Sequence, residues 1–156
     1  MCETRAYNRA SIKPHLLSHI TLCQYYRHCI ELLLKIAIAE LVSPTDAEHH
    51  LLDGLDRIHN LEKLSERYRD GLATWQQGVD AEAWDALMWF HGIDANAQTF
   101  RYAVDTRGVR TFTQEVTFDV NDVQRRATTA IMYLSGTINW VDECKRAAPD
   151  YRDDYF

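Results

Sequence analysis

The chain has no Cys-x-x-Cys pair: its four cysteines stand at positions 2, 23, 29 and 144. That spacing fits neither a zinc site nor a secreted disulfide framework. Cys23 and Cys29 share one helical stretch but lie too far apart to bridge along it, so reduced, partly buried thiols are expected. No uninterrupted apolar core follows the opening MCETRAYNR, which argues against a signal peptide. The longest greasy stretch is broken by Glu31, Lys35 and Glu40 and falls well short of a membrane span. HExxH, paired-carboxylate metal motifs, Gly-rich phosphate loops and a serine nucleophile elbow are all missing. His49 and His50 are adjacent, so on a helix they point about 100° apart and do not chelate one ion by themselves. These gaps lead us to expect no metal, no cofactor and no membrane association, in a soluble cytoplasmic protein.

What is present favours a real hydrophobic core. Of the 156 residues 46% are hydrophobic, including four Trp, eight Tyr and five Phe, which argues against a disordered acidic tail. One domain spanning residues 1–156 is expected, with 1–15 and 147–156 as less defined terminal extensions. A net charge of -6 opposes broad attraction to DNA or anionic lipid. The charge is uneven: residues 1–43 sum to +2, 44–91 to -6 and 92–156 to -2. The acidic middle reads as a solvated helix surface.

The apolar periodicity predicts an all-α, up-and-down helical bundle. A first long helix is expected from about Leu16 to Val42, started near Pro14 and stopped by Ser43-Pro44. Leu16, Ile20, Cys23, Ile30, Leu34, Ala37 and Leu41 form one apolar stripe, and Leu22, Tyr26, Cys29, Leu33 and Ile36 a second. So wide an apolar surface needs partners on more than one side, from its own bundle or from a dimer. Asp46 is expected to cap a short helix ending near Gly54. Asn60 is expected to cap a helix carrying Leu61, Leu64, Tyr68 and Leu72, and Asp80 one that stops at Gly92. In residues 100–118 the pattern changes to alternation, and a small β-hairpin insertion is expected there. Asp119 is placed as the cap of a final helix packed through Val123, Ala127, Ala130, Leu134, Ile138 and Val141, with Gly136 weakening it locally.

The stretch RHCIELLLKIAI, residues 27–38, sets His28, Glu31 and Lys35 at i, i+3 and i+7 on one helix face. Glu31 and Lys35 have the favourable order for an i,i+4 ion pair, and Glu31 is also in reach of His28. Such a triad can bind phosphate or hold an imidazole for proton transfer. The preferred reading is a structural network, because polar groups that interrupt an apolar helix have to be satisfied. His59 is likewise read as bonding to a nearby backbone or side chain. Arg101, between Phe100 and Tyr102, is read as fastening the hairpin through Asp105 or a carboxylate on the bundle. Arg107, Arg110, Arg125 and Arg126 make the only credible basic surface, and ordinary solvated charge is its simpler description.

HCIELLLKIAI, IHNLEKLSERY and GIDANAQTFRYAVD, in that order, resemble bacterial HEPN-domain proteins. The matching residues are His28, Glu31, Leu32, Leu34 and Lys35, then His59, Leu61 and Leu64, then Phe100, Arg101, Tyr102 and Asp105, and the resemblance spans roughly residues 20–145. It implies a compact helical bundle that frequently dimerises and that serves as an RNA-cleaving toxin or defence protein, or as a noncatalytic or nucleotide-contacting partner. The Arg-x(4–6)-His motif of the family's ribonucleases has no counterpart in the C-terminal half, where no histidine stands beyond Gly92. Arg9 and His15 have that separation, but Pro14 lies between them and the location is wrong. The expected function is therefore a noncatalytic or regulatory module that self-associates, most simply as a dimer, and binds a protein partner. The alternatives are a metal-independent endoribonuclease drawing on His28, His59 and Arg101, and a nucleotide-binding module; no catalytic or cofactor-binding residue is assigned from sequence.

Overall fold

The computed structural model describes residues 14–42, 50–94 and 119–147, all in helices and the turns between them, with no strand among these residues. The expected hairpin at 100–118 lies outside them.

Helix α1 spans Pro14–Leu41, its proline at the first helical position, where a missing N–H costs no internal bond. Helix α2, Leu61–Thr74, is capped as expected by Asn60, whose side chain accepts from the Lys63 amide at 3.0 Å. It closes with Gln76 at φ 56°, the Gln76 and Gln77 amides donating back to Ala73 and Leu72. Helix α3, Ala81–Ile93, starts at the Asp80 cap, which accepts from Glu82 and Ala83. It runs one residue past the expected stop at Gly92. Helix α4, Val120–Ala147, follows the Asp119 cap and continues unbroken through Gly136. The short helix expected to end near Gly54 is replaced: residues 50–57 form two 3-10 turns either side of Gly54, which sits at φ 62°. The Asp46 end of that expectation lies outside the described residues.

The helices pack in a ring, α1 on α2, α2 on α3, α3 on α4 and α4 on α1. Side-chain contacts fix their directions. Along α1 and α2, Glu31 meets His59 while Leu41 meets Gly71 and Trp75, so the two helices run the same way. Helix α4 also runs with α2, since Tyr68 meets Thr137 and Trp75 meets Trp140. Helix α3 is opposed: Trp84 lies by Arg69, and His91 by Glu62. Three helices are thus parallel and one antiparallel, which corrects the expected up-and-down order. The physical reason lies in where the helix ends stand: Leu41, at the end of α1, lies beside Gly71 and Trp75 near the end of α2, while α2 begins about 20 Å away, the rise of its fourteen residues.

The core is built from the inner stripe of α1 (Ile30, Leu34, Ile38, Leu41), Leu61, Leu64, Tyr68 and Leu72 of α2, Leu87 and Phe90 of α3, and Val123 to Val141 of α4. In the predicted α4 stripe only Ile138 is half-buried, and Thr137 takes the buried place beside it, its hydroxyl 2.6 Å from that of Tyr68. Among the described residues no helix is long and apolar enough to cross a membrane.

Candidate functional site

Helix α1 presents two unlike faces, and each carries a feature that asks for a function. The inner one is an ionic cluster. Arg27 is 1% exposed and Glu31 2% exposed, one helical turn apart at the centre of the domain. All three guanidinium nitrogens of Arg27 bond across the bundle. Nε donates to the Asp94 carbonyl at 3.0 Å, one terminal nitrogen to Glu31 Oε2 at 2.6 Å, and the other to the His59 carbonyl. The Asp94 carboxylate lies 3.8 Å from Nε. One side chain therefore ties α1 to the residue before the α2 cap and to the C-cap of α3.

Glu31 is the common acceptor. Its Oε1 takes Lys35 Nζ at 3.0 Å and His59 Nδ1 at 2.8 Å, in addition to the Arg27 bond on Oε2. Burial pushes its pKa up, but the hydrogen bonds from Arg27, His59 and Lys35 outweigh that and hold the carboxyl down at about 2. Lys35 also donates to the Asp56 carbonyl at 3.2 Å, fastening the 3-10 turn Leu55–Arg57 that precedes α2. A second tie between the same ends of α2 and α3 is His91 Nε2 to Glu62, at 3.5 Å.

The chemistry open to this cluster follows from what is already used. Arg27 has neither exposure nor a free fork to grip a phosphate. Glu31, ionised, is an acceptor only, so His59 donates to it through Nδ1, which leaves Nε2 as the ring nitrogen not bonded to Glu31. The His59 side chain is 56% exposed, and it is the one ring of the cluster that reaches water to that extent. A carboxylate orienting an imidazole is a proton-transfer pair; two cations, an imidazole and backbone carbonyls gathered around one carboxylate are a fastening. Both are present, and the fastening involves more of the atoms.

Of the residues singled out from sequence, Glu31, Lys35 and His59 converge. His28 does not: it is exposed on the neighbouring face, and its place beside Glu31 is taken by Arg27. His50 is exposed, and His49 lies outside the described residues, as do Arg101, Asp105, Arg107 and Arg110. Arg125 and Arg126 are no free basic surface, since both bind Asp122, at 2.6 and 2.9 Å, and Arg126 also lies over Trp89. Arg27 and Asp94 were missed. For Arg27 a signal existed, since Arg27, Glu31 and Lys35 form an unbroken i,i+4 series. For Asp94, sequence-remote from α1, none did.

The outer face of α1 is apolar and open. Tyr25, Leu32 and Ile36 are 64%, 46% and 49% exposed, and Cys29 is half-buried between them. Their separations of four, three and four residues draw a straight stripe down the helix. Of the second stripe expected from sequence, Leu22, Tyr26, Cys29 and Leu33 are half-buried and Ile36 is exposed; Tyr25 and Leu32 were not among its residues. Comparison with family models, with curated proteins and with solved structures finds nothing that matches the chain.

Proposed function

We propose that this chain is a noncatalytic, HEPN-like helical module that self-associates through the outer face of α1 and serves as a protein-binding component, within a bacterial toxin or defence system. The observation that carries this reading is the Tyr25–Cys29–Leu32–Ile36 stripe. Isolated exposed apolar residues are ordinary, but a contiguous apolar patch on a well-packed helix marks an interaction surface. The HEPN-like part rests on the three sequence segments named above and on the helical bundle. The noncatalytic part is supported by the burial of Arg27 and by the bonding of all three of its guanidinium nitrogens within the fold. Leu32→Asp with Ile36→Asp places two charges in the stripe without touching the core, so helicity and melting temperature should stay close to wild type. Sedimentation velocity at micromolar concentration should then show a monomer where the wild type shows a dimer. A double variant that sediments like wild type defeats the reading.

A second reading, metal-independent cleavage of RNA, is favoured by the Glu31–His59 pair. A buried carboxylate fixing the tautomer of a half-exposed imidazole suits general acid–base work on a 2'-hydroxyl. It predicts that purified protein cleaves mixed RNAs in the presence of a chelator and that His59→Gln lowers the rate at least 100-fold, the usual scale of one general acid–base. RNA left intact by wild type beside an active control removes it.

A further inference from the structure

We infer that two copies of the chain pair along α1 in parallel and in register, about a two-fold axis beside Cys29 and Leu32. The inference rests on the self-association proposed above and adds its geometry. The 4-3-4 spacing is that of a coiled-coil seam, with Tyr25 and Leu32 at the d position and Cys29 and Ile36 at the a position. A β-branched residue at a with leucine at d is the combination that favours parallel two-stranded pairing, and Ile36 with Leu32 supplies it.

The flanking charges point the same way. With that register Lys35 stands at g and Glu40 at the following e, the positions that face each other across a parallel pair. Lys35 spends two bonds of its ammonium, on Glu31 and the Asp56 carbonyl, which leaves a third N–H. Glu40 is bonded through Oε2 to Lys145 at 2.9 Å, which leaves Oε1 as an acceptor. An antiparallel pair would instead set His28 against Lys35, which offers the ammonium no opposite charge. Helices joined this way approach to about 8–10 Å between axes, so Cys29 of one copy lies beside Cys29 of the other.

Oxidative cross-linking reads this directly. Diamide takes two electrons and two protons from a pair of thiols, forming one disulfide and the reduced hydrazine. The wild-type protein should yield a disulfide dimer that Cys29→Ser abolishes. In the Cys29→Ser background, Ile36→Cys should restore it, and Tyr25→Cys should cross-link with its own copy. A mixture of Tyr25→Cys and Ile36→Cys proteins should give no mixed dimer, since in a parallel pair these positions lie about 16 Å apart along the helix.

Mixed dimers without self-dimers would establish antiparallel pairing and overturn this inference while sparing the self-association. A dimer in solution that none of these cysteines captures would place the contact elsewhere and overturn it as well. A monomer in solution at every concentration would defeat the proposed function itself.

Discussion

Arg27→Met is expected to destabilise the fold by about 3–5 kcal/mol, the scale of removing one partner from a buried ion pair. The loss has two sources. Glu31 remains ionised and almost wholly buried with one fewer donor, and the carbonyls of His59 and Asp94 lose the guanidinium that satisfied them. For a domain of this size the melting temperature should fall on the order of 10 °C, measured by circular dichroism at neutral pH. Adding Glu31→Met should return much of the loss, because the stranded charge is gone and the pocket fills with apolar atoms. Lys35 and His59 keep access to water, so they tolerate the loss of Glu31 better than it tolerates the loss of Arg27. If Arg27→Met melts with wild type, the guanidinium is not the fastening between α1, α2 and α3.

Acid should weaken the protein through the same carboxylate. Glu31 has a folded pKa of about 2, below its ordinary value of 4.5. A depressed pKa means that the unfolded chain takes up the proton first. The contribution is therefore complete above about pH 4.5 and is lost progressively as pH falls toward 2. The displacement corresponds to roughly 3 kcal/mol at most. Denaturant unfolding between pH 6 and 2.5 should show this slope in wild type, and Glu31→Gln, already less stable at pH 6, should lose most of it. Equal slopes in the two proteins would assign the acid sensitivity to other carboxylates.

The helices were legible because their boundaries are written locally. Pro14, Asn60, Asp80 and Asp119 each act on the first turn that follows them, and the buried stripe of α4 repeats at helical spacing. Direction was not legible. Ser43-Pro44 says that α1 stops but not where the chain goes next, and the parallel packing of α1 and α2 depends on tertiary contacts such as Leu41 with Gly71 and Trp75. The site was half legible for the same reason. Glu31 with Lys35 is a short-range pair, and His59 is marked by standing beside a cap. Arg27 reaches carbonyls 32 and 67 residues away, which no local pattern encodes. His28 was misplaced because it shares a broad helical face with Glu31, and the 60° between them separates the core edge from solvent.

Helix α1 thus divides its labour. Inward, Arg27 and Glu31 bond across three helices; outward, Tyr25, Cys29, Leu32 and Ile36 form the stripe through which we propose that a second copy binds. The most direct test is the mass of the wild-type protein by light scattering over a dilution series from high to low micromolar. The account predicts twice the chain mass of 18.2 kDa at the top of the series, falling toward the single-chain value on dilution. A constant 18.2 kDa across the whole range would contradict it.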